Sequence, residues 1–443
     1  MPEPAIRLPL PHTVFQRNAD GFADIPIAAD EPVDARVHAA NSLIIEARDV
    51  QERVPDVPIG GPYTLEVSTA NGRTTRVGGL LVGDLWVMAG QSNMDGSAKL
   101  VDLERPIRMV HCFYYNERWA VAEDPLCRLV DSVDPVHWPC PEEQLAEARA
   151  YDRRFRELGA SMGIRFGKDV YKGAGVPIGL IMCSHGGTSI EQWDPALRDQ
   201  GGRSLYGSMM RRIGVCGGRV AGMLWYQGES NANPETAPHY KTRMTEFIHA
   251  VRRDLDAPDL PFIHVQLSRF FIDETVFPSE HWNRIQQVQL EITEEVPNVG
   301  MAAAIDSTLS DAIHIDAISG RRMGARLAEL ALIMAYGKQG APALTPSAPV
   351  FRDDVRTELE IDYKNVRGGL SPKRGIWGYW IETPEGERIA FRDSHADGHA
   401  VTLLLERPAP PGSKLWYGRG CNPTVNLHDD LFAAPVFGPW TLD

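Results

Sequence analysis

The sequence has few cysteines, no long apolar run and no surplus of positive charge. Its six cysteines, Cys112, Cys127, Cys140, Cys183, Cys216 and Cys421, include no Cys-x-x-Cys pair. A chain of 443 residues can build its core without disulfides, so these read as free thiols. No stretch approaches the roughly 18 apolar residues of a membrane-spanning helix. Met1-Pro2-Glu3-Pro4-Ala5-Ile6-Arg7 lacks the basic segment and apolar run of a secretory leader. A cytoplasmic location is therefore expected, unless a leader has been trimmed. Lys and Arg number 45 against 59 Asp and Glu, a net charge of −14 that excludes non-specific attraction to nucleic acid or an anionic membrane. A carboxylated ligand would need local arginines. Among the histidines, only His395 and His399 have His-x-x-x-His spacing. Asp397-Gly398 between them reads as a turn, so no metal site is expected.

What is present is the composition of a globular protein, 43% hydrophobic and 23% charged, long enough for about three domains. Residues 1–80 read as a β module: Tyr63-Thr64-Leu65-Glu66-Val67 alternates in the period of a half-buried strand, and Asn71-Gly72 supplies a hairpin turn. From 81 to 340 apolar strand candidates alternate with helix candidates, the pattern of a parallel sheet covered by helices. The strands are Leu85 to Ala89, Val176 to Cys183, Gly218 to Tyr226, Leu260 to Leu267 and Val299 to Ile305. The helices are Ala146 to Tyr171, Pro238 to Leu255, Trp282 to Glu295 and Asp316 to Tyr336. The irregular stretch 99–143 reads as a long insertion. Pro342 to Pro349 is a linker by composition, and 350–443 reads as antiparallel β structure.

Four short blocks carry the chemistry, each just after an apolar strand candidate, where open α/β sheets bind ligands. In Gly90-Gln91-Ser92-Asn93-Met94, Gly90 allows a sharp turn and Ser92 sits beyond the strand end. Ser92 reads as a nucleophile in need of a base, or as a cap of the next helix. In Ser184-His185-Gly186-Gly187-Thr188-Ser189-Ile190-Glu191-Gln192-Trp193, the paired glycines Gly186 and Gly187 suit backbone N–H groups that approach a ligand, as in an oxyanion hole, or a tight turn. His185 is a rival base or a loop-orienting residue, and Trp193 a pocket wall or a core side chain. In Trp225-Tyr226-Gln227-Gly228-Glu229-Ser230-Asn231, Asn231 could donate to an oxyanion or cap a helix. Glu229 could support the loop, bind substrate or orient a histidine. In Asp311-Ala312-Ile313-His314-Ile315-Asp316, the three-residue spacing lets Asp311 fold back onto one nitrogen of His314, leaving the other for a serine.

Together these blocks resemble the sialate O-acetylesterase-like branch of the SGNH hydrolases. The resemblance rests on Gly-Gln-Ser-Asn-Met after Val-Gly-Asp-Leu-Trp, on Gly-Gly-Thr-Ser-Ile-Glu-Gln-Trp, on Trp-Tyr-Gln-Gly-Glu-Ser-Asn and on Asp-x-x-His. Gly60-Gly61-Pro62-Tyr63-Thr64-Leu65 adds to it. It implies a three-layer α/β/α, flavodoxin-like core over 81–340 with a mostly parallel sheet, flanked by small β domains. It implies Ser92 as nucleophile, His314 as base and Asp311 as its orienter, and an oxyanion hole from the N–H groups of Ser92 and Gly187 with Asn231. Gln91, Gly186, Trp193, Gln227 and Glu229 would bind substrate or support the site. The implied reaction is hydrolysis of O-acetyl esters on a carbohydrate, without cofactor or metal. The alternatives are an esterase for acetylxylan or other small acyl esters, or a non-catalytic glycan-binding protein. Two features depart from the family pattern: Ile315 stands where proline is frequent, and Gly-Glu-Ser-Asn replaces the Gly-x-Asn-Asp of other SGNH branches. The second leaves the register of Asn231 open, and Glu229 stays open as an alternative triad acid.

Overall fold

A computed structural model describes residues 6–340 and 344–443. Residues 1–5, on which the leader reading largely rests, and Pro342-Ala343 of the expected linker lie outside the described residues. The chain divides into two compact units. One comprises Met1–Gly90, Met94–Gly186 and Gln192–Leu224; the other comprises Gln91–Asn93, Gly187–Glu191 and Trp225–Asp443.

The first unit is built on one long strand, Thr74–Gly90. The sequence reading splits this segment into a hairpin arm and a separate buried strand. It is continuous because its two halves serve different surroundings. The first half is partly exposed and pairs antiparallel with Gly60–Ser68 across the turn at Gly72, where φ is +85°. From Leu80 onward every residue is buried, and this half pairs in parallel with Ile178–Met182. Ile178–Met182 is in turn parallel to Val110–Phe113, with Trp119–Val121 antiparallel beyond it. A large mixed sheet results. Asp84, buried in the long strand, is held by Arg17 Nη2 at 3.0 Å and Gln16 Nε2 at 2.7 Å, the pairing a buried carboxylate requires.

Two expectations for this unit are corrected. Val110–Phe113 lies inside the supposedly irregular stretch 99–143 and is a fully buried strand. Val110-His111-Cys112-Phe113 is four residues long with a histidine among them, too short and too mixed a pattern to reveal it. The single helix expected over Ala146 to Tyr171 is two, Leu145–Phe155 and Gly163–Ala174, with the short strand Leu158–Ala160 between. The first helix ends where Arg156 turns extended (φ −67°, ψ 120°), and Gly159 in the short strand takes a φ of +144°, a conformation that residues with a Cβ avoid.

The second unit holds the parallel pair Phe262–Gln266 and Val299–Ala303 with helices Tyr240–Asp254, Ser279–Glu295 and Ala317–Tyr336. Its later part is antiparallel β: Glu358–Lys364 with Ala400–Leu405 and Phe391–Asp397, and Tyr379–Glu382 with Ser413–Tyr417 and Phe437–Leu442. His395 and His399 stand either side of the turn at Gly398, whose φ is +59°. Buried polar side chains tie the parts of this unit together. Gln266 accepts from the Val436 N–H and donates to its carbonyl, both at 2.8 Å. Arg326, itself buried, grips Asp306 bidentately at 2.7 and 2.8 Å and donates to the carbonyls of Ala303 and Leu431. Among the described residues, no helix is long and apolar enough to cross a membrane.

Candidate active site

Of the residues singled out in the sequence, Gln91, Ser92, Gly187, Gln227, Glu229, Asn231, Asp311 and His314 fall in the second unit, and Gly186 and Trp193 in the first. Asp316 caps the helix Ala317–Tyr336, accepting the Ser319 N–H at 2.7 Å. The loop before it doubles back on itself: Leu309 bridges Ile315, and the Ser310 N–H donates to the His314 carbonyl at 2.8 Å. Asp311 to His314 form the tip of this loop. There Asp311 Oδ1 accepts the N–H groups of Ile313 (2.9 Å) and His314 (2.8 Å), which turns the other carboxylate oxygen, Oδ2, toward the imidazole. Oδ2 lies 2.7 Å from His314 Nδ1, and His314 Nε2 lies 2.9 Å from Ser92 Oγ. Partial burial pulls the Asp311 carboxyl upward. The His314 hydrogen bond and the two backbone N–H groups outweigh it and hold the group below its ordinary value. Asp311 therefore stays ionised beside the ring. An ionised Asp311 fixes the proton on Nδ1 and leaves Nε2 to accept from the serine hydroxyl.

Asn93, beside Ser92, fixes the two blocks to each other. Its amide donates to Glu229 Oε1 at 2.8 Å and to the Ile313 carbonyl at 3.4 Å, and its Oδ1 accepts the Ile315 N–H at 3.1 Å. Glu229 is buried and its pKa is raised by that burial, against the opposing pull of the Asn93 hydrogen bond and the His314 charge. Its oxygen bonds Asn93, whereas the carboxylate bonded to the imidazole is that of Asp311. Gln91 Oε1 accepts the N–H groups of Gly228 (3.4 Å) and Ser230 (3.3 Å), which fastens the serine block to the Glu229 loop.

Asn231 is fully buried. Its Oδ1 accepts from Ile190 N at 2.8 Å and from Gln227 Nε2 at 2.7 Å, and one amide hydrogen goes to Glu191 Oε2 at 2.9 Å. The N–H groups of Glu235 and Thr236 that follow are accepted by Asn233 Oδ1, at 3.1 and 3.0 Å, in a turn. Gln227 also donates to the Thr188 carbonyl at 3.1 Å. Gly187 has a φ of +73° and open space where a Cβ would stand, as a backbone presented to a ligand requires. In the first unit, His185 faces His137, Gly186 directly precedes Gly187 in the chain, and Trp193 is fully buried. The sequence reading overlooked Asn93, Glu191 and Thr188 as structural partners. All three lie inside the blocks it quoted, but a hydrogen bond between distant blocks leaves no spacing signal.

A cavity of about 320 Å³ opens on the Asp311 side, lined by Arg269, Phe271, Leu309, Asp311, Ala312 and Asn422. Phe271 is 71% exposed there, and its N–H donates to the Ala312 carbonyl at 2.7 Å.

The fold is that of a mixed α/β protein carrying a serine, a histidine and a carboxylate in hydrogen-bonded sequence. It matches the structure of a carbohydrate acetylesterase from Xanthomonas citri with a TM-score of 0.69 and 23% identity, over 98% of this chain and 99% of that one. Residues 82–333 match the family described as carbohydrate esterase, sialic acid-specific acetylesterase, and the chain belongs to that family. It is 29% identical over 194 residues to a probable carbohydrate esterase of Arabidopsis thaliana, covering 42% of this chain and 68% of the relative. It is 27% identical over 288 residues to the sialate O-acetylesterase of Homo sapiens, covering 56% of this chain and 52% of the relative. The chain thus matches about half the length of that relative.

Proposed function

We propose that the protein is a serine esterase that removes O-acetyl groups from a carbohydrate through Ser92, His314 and Asp311. The observation that carries this reading is the hydrogen-bonded series from Asp311 Oδ2 through both imidazole nitrogens of His314 to Ser92 Oγ, at 2.7 and 2.9 Å. Ser92 Oγ attacks the acetyl carbonyl carbon while His314 Nε2 takes the hydroxyl proton. The carbonyl oxygen becomes an oxyanion, received by the N–H groups of Ser92 and Gly187 and by the Asn231 amide. Collapse breaks the bond to the sugar oxygen, which leaves with the proton from His314. Water, deprotonated by the same nitrogen, then attacks the acetyl-Ser92 ester and releases acetate and the serine.

This reading carries with it a three-layer α/β/α core of SGNH type over 81–340, with flanking β regions at 1–80 and 350–443. The exposed Phe271 ring beside Asp311 supports a sugar-sized leaving group, since an aromatic face suits the apolar face of a pyranose. Acetate release across a panel of O-acetylated sialic acids, O-acetylated xylo-oligosaccharides and aryl esters of increasing acyl length tests the substrate class. A preference for acetylated sugars over longer acyl chains is expected. Equal rates on acetyl and hexanoyl aryl esters, with no turnover of sugar esters, would place the protein among general small-ester esterases.

A further inference from the structure

The helix Ser279–Glu295 carries Glu280, Asn283, Arg284, Gln287 and Glu291 at the three- and four-residue spacing that stacks side chains on one helix face. A helix that packs on a sheet ordinarily turns an apolar stripe toward it. Here the apolar side chains Trp282, Ile285, Val288 and Ile292 are buried, and the polar stripe faces something else. Across a groove of about 810 Å³ stand Trp416 and Trp440, on the antiparallel strands Ser413–Tyr417 and Phe437–Leu442, with Arg419 just beyond the first strand. That volume lies within the roughly 300–1,000 Å³ of small-molecule sites. All of these residues belong to the second unit.

The walls are held in place. Gln287 Oε1 accepts the Gly438 N–H at 2.8 Å, and Asn283 Oδ1 accepts the Gly420 N–H at 2.8 Å. The Arg419 guanidinium lies over Trp416 at 4.6 Å and over Trp380 at 4.9 Å, and its Nη1 donates to Glu382 at 2.7 Å. Its plane is thereby fixed with only one of an arginine's five N–H donors used on that carboxylate. Trp440 stacks on Phe437 with ring centroids 4.1 Å apart. Glu280 and Arg284 open to solvent, their side chains 76% and 47% exposed. Glu274, Glu280 and Glu291 nearly balance Arg284 and Arg419, so the groove offers little net charge to draw in an ion. Its flat aromatic faces, donors and acceptors suit an uncharged polyhydroxyl ligand. Sugar hydroxyls both donate and accept, and the apolar face of a pyranose covers an indole.

The groove adjoins the cavity beside Asp311. Phe271 and Asn422 line that cavity, whereas Glu274 and Arg419 line the groove. Each pair, Phe271 with Glu274 and Arg419 with Asn422, is three residues apart, a stretch of chain that spans at most about 11 Å. The two stretches are also tied to each other. The Phe270 N–H donates to the Cys421 carbonyl at 2.8 Å, and Glu274 Oε1 accepts the Cys421 N–H at 2.7 Å. We propose that the groove is a second binding site, one that holds the uncharged glycan chain continuing from the acetylated residue. This rests on the esterase reading and deepens it: the favoured substrate is an acetylated oligo- or polysaccharide, and remote binding of its chain speeds the reaction.

Binding is tested without turnover. In isotope-labelled wild type, the indole N–H signal of Trp440, assigned by its loss in Trp440→Phe, should shift on addition of xylohexaose, cellohexaose or mannohexaose, none of them acetylated. The matching monosaccharides should leave it in place. No shift with any of the three would overturn the proposal. A shift produced by raising the protein concentration without sugar would assign the groove to a second copy of the chain, and would overturn it too. Kinetically, kcat/KM on the acetylated form of the hexasaccharide that binds should exceed that on its acetylated monosaccharide by about tenfold or more. That ratio should fall toward one in Trp440→Ala and in Arg284→Ala, the second an exposed helix position whose loss leaves the fold intact. A ratio near one in wild type, or one unchanged in the folded variants, would refute the groove while Ser92-dependent hydrolysis continued. Oligosaccharide binding at Trp440 with no hydrolysis of any ester would instead sink the esterase reading and leave the groove standing.

Discussion

Asn93 Oδ1 accepts the backbone N–H of Ile315 at 3.1 Å, so the residue after the serine is fastened to the residue after the histidine. The 2.9 Å approach of His314 to Ser92 is thus accompanied by a second tie between the same two loops. Asn93→Ala should lower kcat by about 10- to 100-fold with a smaller change in KM, because a shift of about 1 Å at the reacting atoms has that effect. It also strips Glu229 of its donor. Steady-state kinetics on p-nitrophenyl acetate checks this; an unchanged kcat would show that the serine and histidine are held by other contacts.

Asp311 and Glu229 are separated by their partners. Asp311→Asn should lower kcat by about 10³–10⁴-fold, since an amide at that position can donate to Nδ1 and move the ring proton onto Nε2. Glu229→Gln keeps an oxygen for Asn93 and should cost less than about tenfold. The reverse order would transfer the orienting role to Glu229.

Glu229 also makes a stability statement. Burial raises its folded-state pKa, so the fold favours the protonated form. Its ionisation then opposes folding as pH rises above the unfolded value of about 4.3 and through the raised one. Glu229→Gln removes that titration. Its melting temperature should exceed that of wild type at neutral pH, with the gap closing toward pH 4. A gap that persists unchanged at acid pH would mean the gain has another origin.

Asp306 works in the opposite sense. Burial pulls its pKa upward, but the Arg326 hydrogen bonds and charge prevail and hold it below the ordinary carboxylate value. Its contribution is present above the unfolded value of about 3.9 and is lost as pH falls through the depressed one. Asp306→Asn should cost about 2 kcal/mol at pH 7, because buried Arg326 keeps its charge and loses its partner. Urea unfolding should show the deficit shrinking below about pH 4. A deficit that stayed constant would place the pair outside the acid transition.

The candidate site was legible in the sequence as far as its residues sit in contiguous blocks. Asp311-x-x-His314 is a local constraint, and Asp316 marks the start of its helix by composition. Ser92 follows a run that is buried end to end. The strand Val110–Phe113 and the break after Phe155 were not legible, since one depends on a neighbour supplied by Ile178–Met182 and the other on Arg156 turning extended with no Gly or Pro at that point to mark it. Asn93, Glu191 and the His137–His185 contact join positions far apart in the chain. Only the folded chain brings such side chains within hydrogen-bond distance.

The most direct test of the central claim is the turnover of an O-acetylated sugar and of p-nitrophenyl acetate by wild type beside Ser92→Ala, each confirmed as folded by its melting curve. The expected result is acetate release by wild type on both, and a loss of at least about 10³-fold on both in the variant. Equal rates in the two proteins would contradict the assignment of Ser92 as nucleophile, and with it the acyl-enzyme route.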